Sequence, residues 1–222
     1  MTHRVAVLVL DGVASFDLGT STQILGAART ATGERLYDIR VCTADGGPAR
    51  ASGGFTMVPE HGPSVIDDAD TVVIPGLHGD FMKHGVPEFR DVEVAALRRI
   101  PVTTRVVSIC TAAFAVALIG RLDGRPATTH WAYADQFQRM YPTVRLNPDV
   151  LFVDDGDVLT SAGVGAGVDL CLHLVRRDFG SEVANRAARR TVMPPWRDGG
   201  QAQYVVRHVP DPAGSSTAPA RA

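Results

Sequence analysis

One stretch limits the architecture more than any other: Val106-Val107-Ser108-Ile109-Cys110-Thr111-Ala112-Ala113-Phe114-Ala115-Val116-Ala117. Its first residues are β-branched and apolar, which predicts a strand buried on both faces. From Thr111 onward it turns Ala-rich and helix-favouring, with no Gly or Pro spacer between the halves. A strand that runs straight into a helix needs a sharp, often strained turn, and Cys110 stands at that turn. Its side chain is expected to project over the carboxyl end of a sheet, above the unpaired N–H groups of the next helix. Those groups and the helix dipole favour thiolate over thiol. This is a nucleophile elbow with Cys in place of Ser. A second reading stays open on local sequence alone: Cys110 as a small buried apolar residue.

The rest of the chain supplies matching elements. Residues 4–10 (RVAVLVL) form a near-continuous apolar run, the pattern of a central parallel strand covered on both faces. Asp11-Gly12 turns the chain, and residues 17–29 carry helical spacing through Leu18, Ile24 and Leu25. Residues 37–43 alternate as a strand, and Gly-rich punctuation at 45–48 and 52–54 predicts a hairpin ending near Val58. Residues 71–74 (TVVI) are a further buried strand ending in Pro75-Gly76. The spacing predicts an amphipathic helix over 86–99, with Phe89, Val92, Ala96 and Leu97 facing inward. After the elbow come a short strand at 127–131, a helix to about Met140, short strands at 144–146, 150–153 and 158–160, a helix over 163–177 and another opening at Ser181. Strands alternating with helices imply an α/β, mostly parallel sheet with helices on both faces. Ligands then bind outside the carboxyl ends of the strands. Asp17, Pro75-Gly76, Cys110 and His130 all follow expected strands and can converge on one edge.

Composition removes several classes. With 222 residues and a formal charge of −2, the chain suits a single domain with a short tail and has no bulk reason to bind nucleic acid or an anionic membrane. The run from Met1 enters a strand at once, so no signal peptide is read, and no apolar stretch approaches a membrane span. The three cysteines, Cys42, Cys110 and Cys171, are odd in number and far apart. They point to a reducing, cytoplasmic setting and away from a disulfide scaffold or zinc site. The seven histidines show no ligand spacing, so neither metal nor cofactor is expected.

Five motifs carry a family resemblance: Asp17-Leu18; Val73-Ile74-Pro75-Gly76; Ser108-Ile109-Cys110-Thr111; Ala127-Thr128-Thr129-His130-Trp131; and Ser161-Ala162-Gly163-Val164-Gly165-Ala166-Gly167-Val168-Asp169. Together they resemble the ThiJ/PfpI superfamily. The resemblance implies a class I glutamine-amidotransferase-like, flavodoxin-like fold over residues 1–205, then a Pro/Ala/Ser-rich tail or connector remnant at 206–222. Two subgroups share the Ile-Cys-Thr elbow and the Thr-Thr-His-Trp segment: the sensor half of AraC-type transcriptional regulators and isonitrile hydratase. Residues 169–177 (DLCLHLVRR), 184–190 and above all 194–204 (PPWRDGGQAQY) resemble the regulators more. In those, the last motif leads through a Pro-rich connector into a helix-turn-helix domain. On that resemblance the chain is expected to stop inside the connector, with DNA bound only through a reader absent from it.

The resemblance also implies roles. Cys110 is the reactive thiol, attacking an electrophilic carbon or being oxidised to a sulfinate, with the Thr111 N–H holding the anion. Asp17 sits opposite, handling protons in the hydratases; plain helix physics reads it instead as an acidic first-turn residue. Thr111 replaces the His of the protease-like branch, which removes a Cys-His dyad. His130 approaches the cysteine, or merely starts a helix. Gly76 offers an anion-binding turn, narrowed by Leu77 where the family often has a second Gly. Gly163 opens a Gly-Val-Gly-Ala-Gly run that is not a nucleotide loop and serves close helix packing near the site. A homodimer is expected by resemblance. The preferred function is sensing of a small-molecule effector near Cys110 without turnover. The alternatives are isonitrile hydration, with isonitriles converted to N-substituted formamides, and an oxidation-sensing or protective role.

Overall fold

The computed structural model describes residues 2–78 and 81–203, so the expected tail at 206–222 and its boundary lie outside the described residues. The elements in chain order are β1 (His3–Val9), α1 (Ser15–Ala27), β2 (Tyr37–Thr43), a hairpin of β3 (Ala49–Ala51) and β4 (Phe55–Met57), β5 (Thr71–Ile74), and a small pair β6 (Met82–Lys83) and β7 (Val86–Pro87). Then come α2 (Asp91–Arg98), β8 (Arg105–Ile109), α3 (Ala113–Leu118), β9 (Pro126–Ala127), α4 (Ala134–Met140) and β10 (Arg145–Leu146). The last are β11 (Phe152–Asp154), β12 (Val158–Ser161), α5 (Gly165–Phe179) and α6 (Ser181–Arg190).

The main sheet runs β11-β12-β8-β5-β1-β2, parallel throughout except for β11. Each face carries its own core, which is why the β1 run is apolar without alternation. Ala6, Leu8 and Leu10 pack with Leu97 of α2, Phe114 of α3 and Phe137 of α4. Val5, Val7 and Val9 pack with Ile24 and Leu25 of α1, Leu170 and Leu174 of α5, and Ala184 and Ala187 of α6. The result is the mostly parallel sheet with helices on both sides that the alternation of elements implied, in the flavodoxin-like form that the resemblance implied.

The chain leaves β1 toward β2 on one side and returns to β5 on the other, so β1 and β5 flank the point where strand order reverses. Ligand crevices in open α/β sheets form at such a point. The segments after β1, β5, β8 and β12 all emerge there.

One expected helix is shorter than its pattern. Residues 86–87 pair with β6, and α2 begins only at Asp91. The start is set by Glu93, whose Oε2 accepts the Arg90 N–H at 2.9 Å while Oε1 accepts the distant Asp11 N–H at 2.7 Å. Val92, expected to face inward, is exposed, whereas Ala96 and Leu97 are buried and Phe89 packs on the core as expected. The short strand expected at 127–131 is confined to Pro126–Ala127, because Trp131 already begins a 3₁₀ turn capped by His130.

Candidate functional site

Four segments build the site. Cys110 follows β8 with φ +59°, a left-handed backbone that a side-chain-bearing residue adopts at a cost of about 1–2 kcal/mol. The elbow is pinned from two directions. The Thr111 hydroxyl accepts the Leu77 N–H at 2.7 Å and donates to the Leu77 carbonyl at 2.9 Å. The Thr129 hydroxyl donates to the Cys110 carbonyl at 3.1 Å. Leu77 itself packs into the core, so its backbone fixes the elbow while its side chain is buried among apolar residues.

Glycines allow the close approach. A Cβ on Gly76 would fall 2.4 Å from Asp17 Oδ2 and 2.7 Å from Cys110 Cβ. The acid and the cysteine therefore crowd the same point from opposite sides. A Cβ on Gly163, whose φ is +90°, would fall 2.2 Å from Cys110 Cβ and 2.6 Å from its sulfur. One Gly167 Cβ position lies 3.0 Å from Ile109, confirming that the Gly-rich run lets α5 press on the cysteine strand. Ala14 donates to the Gly76 carbonyl at 2.7 Å, which ties the start of α1, and hence Asp17, to this loop.

Asp17 is 1% exposed, and its Oδ1 accepts the Val164 N–H at 3.1 Å. Oδ2 has no hydrogen-bond partner among the described residues. Burial pushes the carboxyl up to about 6, against the pull of the Val164 and Gly76 N–H groups. Val164 makes its contact from φ +48°, so a second strained residue faces the first.

The sulfur departs from expectation. Helix N–H groups were to favour thiolate, yet burial and then the Asp17 charge push the Cys110 thiol up to about 12, with only the Thr111 N–H and hydroxyl pulling back. The α-helix after the elbow has six residues behind a 3₁₀ turn, too short to outweigh desolvation. Both effects favour the thiol over the thiolate.

Beside it lies a cavity of about 260 Å³ lined by His130, Trp131, Leu151, Gly163, Arg197 and Gln203 among others. Cys110 does not itself line this cavity; it retains 8% of its surface and sits directly behind Gly163, which does. His130 accepts the Ala132 N–H at Nδ1 across 3.2 Å, the helix-start role, and still faces the cavity; burial keeps its ring below the usual histidine range. Arg197 and Gln203, unforeseen as site residues, come from a strap past α6. A larger cavity of about 460 Å³ lies between Asp11, Arg50, Phe89 and Glu93. Most of its charges pair with one another, Arg50 with Asp11, Arg90 with Glu93 and Lys83 with Glu88. No group of metal-ligating side chains occurs among the described residues, and no helix there is long and apolar enough to cross a membrane.

Residues 3–177 match the DJ-1/PfpI family. The HTH-type transcriptional regulator CdhR of Pseudomonas aeruginosa is 32% identical over 182 residues, covering 78% of this chain and 51% of that protein. The chain spans about half the length of the regulators it matches. The isonitrile hydratase of Pseudomonas putida is 38% identical over 80 residues, 36% of this chain and 33% of that one. Among solved structures, an AraC family transcriptional regulator from Pseudomonas putida superposes with a TM-score of 0.71 at 19% identity, covering 85% of this chain and 99% of that one. At that identity the likeness speaks for the fold.

Proposed function

Since the chain belongs to the DJ-1/PfpI family, we propose that it is the effector-sensing domain of an AraC-type regulator, binding a small molecule at the Cys110 cavity without turning it over. The observation that carries this reading is the likeness to HTH-type transcriptional regulators over most of the chain. Burial and the nearby Asp17 charge both push the Cys110 thiol up, which disfavours the thiolate a nucleophile needs. A cavity of about 260 Å³ suits a small metabolite. Asp17 Oδ2, buried beside Gly76, has no hydrogen-bond partner among the described residues. Coupling to DNA would run through a helix-turn-helix domain, the type named in the regulator relatives, in a homodimer as the family resemblance implies. To act on DNA, the effector must bind two arrangements of that dimer unequally.

A thermal-shift screen of small metabolites against the full chain tests this reading. The expected result is a ligand that raises Tm for the wild type and for Cys110→Ser alike, with cyclohexyl isocyanide left unconverted. Formation of the N-substituted formamide by the wild type, lost in Cys110→Ala, overturns it.

That outcome would establish the second reading, isonitrile hydration, which one observation favours: a carboxyl raised to about 6 lies against the cysteine. There the sulfur adds to the isonitrile carbon, forming a C–S bond, while the thiol proton passes through Asp17 to that carbon. Water then adds to the resulting thioimidate and the C–S bond breaks, regenerating the thiol and leaving the formamide.

A further inference from the structure

The Cys110 cavity is finished by residues outside the family match at 3–177. Past α6 the chain crosses the carboxyl end of the sheet as a strap, residues 194–203, touching each wall in turn. The Arg176 guanidinium lies 4.4 Å over the Trp196 ring and donates to the Pro195 carbonyl at 2.6 Å. Arg197 pairs with Asp169 of α5, its Nε 3.1 Å from both carboxylate oxygens. The Gly199 carbonyl accepts the Leu151 and Phe152 N–H groups at 2.7 and 3.3 Å, and Gly199 sits so close to Phe152 that an added Cβ would meet the ring at 2.8 Å. Gln203 closes the crossing. Its Oε1 accepts the Trp131 N–H at 3.0 Å, and its Nε2 donates to the Thr128 hydroxyl and the Thr129 carbonyl, both at 3.0 Å. Thr129 is the residue whose hydroxyl holds the Cys110 carbonyl, so the last described residue and the elbow share one hydrogen-bonded segment.

How the strap is held decides what it can do. From Val192 to Gln203 no residue is buried; the large apolar side chains Val192, Met193 and Trp196 are exposed. The strap is fastened at polar points, with no apolar anchor in either core. Segments held in that way open without the rest of the molecule. We propose that residues 194–203 form a latch over the Cys110 cavity, with Gln203 as its catch and Arg197 as its inner lining, and that its opening admits ligand to the thiol. The proposal rests on the effector-pocket reading above.

Access to the sulfur can be measured without knowing the ligand. Full-length wild type, Gln203→Ala and Trp196→Ala are treated with iodoacetamide at pH 9, and each cysteine is followed by mass spectrometry. Cys42 and Cys171, both 0% exposed, serve as internal controls. The latch predicts that both variants alkylate Cys110 faster than wild type, by on the order of tenfold, while the controls stay protected. Hydrogen exchange of the wild type gives a second readout. The Trp131 and Leu151 amides, which donate to the strap, should exchange together and well before those of Val7, Val73 and Val107 in the central strands. A Cys110 equally reactive in all three proteins removes the latch and leaves the pocket. A Cys110 unreactive in all three overturns both. Parallel labelling of all cysteines, or Trp131 and Leu151 amides that exchange only with the central strands, overturns the latch by showing that the strap opens only with the whole fold.

Discussion

The two ends of the same sheet are built to opposite rules. At the amino ends of the strands, His3, Tyr37, Thr71 and Arg105 meet Asp178 from the end of α5. The Arg105 guanidinium grips Asp178 with both nitrogens, at 2.7 and 2.6 Å, and its Nε donates to the Thr71 hydroxyl at 2.9 Å. The Tyr37 hydroxyl adds a bond to Asp178 at 2.7 Å, and His3 reaches Thr71 at 2.8 Å. Each polar side chain in this group has a partner, although Arg29 Nε, just past the end of α1, is buried with none among the described residues. At the carboxyl ends, Asp17 Oδ2, Ser108 Oγ and Ser161 Oγ are buried with no partner among the described residues, and Cys110 and Val164 sit at positive φ. The first arrangement holds the fold together. The second carries unmet hydrogen bonds and backbone strain in the place where a ligand can relieve them.

The largest effect should come from breaking the satisfied end. Asp178→Ala leaves the Arg105 guanidinium, 13% exposed, without its carboxylate and the Tyr37 hydroxyl without an acceptor. A loss of about 3–5 kcal/mol in urea unfolding at pH 7 is expected. A loss below about 1 kcal/mol would show that this end is no more firmly held than a surface pair. At the other end, Gly163→Ala drives a Cβ into Cys110 at a φ of +90°, so overpacking and backbone strain act together. It should cost about 2–4 kcal/mol. Gly163→Ala should also slow Cys110 labelling, because the added methyl fills the space in front of the sulfur.

Asp17→Asn should do the reverse and stabilise. The folded carboxyl is raised to about 6, so the unfolded chain ionises first. Below about pH 4 both states are protonated and Asp17 costs nothing; between about 4 and 6 stability falls as pH rises; above 6 the loss is constant, on the order of 3 kcal/mol. Asn keeps the acceptor for the Val164 N–H but buries an amide N–H₂ pair, so a gain of about 1–3 kcal/mol at pH 8 is expected, vanishing by pH 4. Asp178 slopes the other way. Burial alone would raise it, but the Arg105 and Tyr37 hydrogen bonds hold it below the usual carboxylate range, so its contribution is present above about pH 4 and lost on acidification through its folded value. Unfolding free energies measured from pH 3 to 8 for the wild type, Asp17→Asn and Asp178→Ala separate the two ends by the sign of their slopes.

The sheet was legible because its signals are local. Tyr37–Thr43 and Thr71–Ile74 begin and end where the apolar pattern does, and the elbow stands where β-branched residues give way to Ala. The start of α2 was hidden because it depends on Glu93 bonding to Asp11, eighty-two residues away in the chain. That the site residues gather at the carboxyl ends of the strands could be read from the pattern, but the charge state there could not. Whether Cys110 is thiol or thiolate follows from how deeply other segments bury it and from the acid brought alongside, which no window of sequence contains. Val164 gave no signal either, since a β-branched residue is the last expected at φ +48°. Arg197 and Gln203 were visible only as part of a motif resembling the regulators. Their position at the cavity is a matter of where the strap lands.

The finest form of the comparison is a pair of single-hydroxyl deletions. Tyr37→Phe removes one bond to a carboxylate that Arg105 still holds, and should cost about 1 kcal/mol. Ser108→Ala removes a hydroxyl that is 0% exposed and has no hydrogen-bond partner among the described residues, one residue before Ile109 and the elbow. Deleting a group that water satisfies in the unfolded chain and nothing satisfies in the fold lowers the cost of burial, so Ser108→Ala should leave stability unchanged or raise it by up to about 1 kcal/mol. The two changes are nearly equal in size and buried on the same sheet, so the composition of the core does not decide their signs. Opposite signs in denaturant unfolding at pH 7 would tie the difference to partners alone. A loss from Ser108→Ala as large as that from Tyr37→Phe would mean that a bridging water satisfies the carboxyl end, and the strain there would then reside in the backbone of Cys110 and Val164.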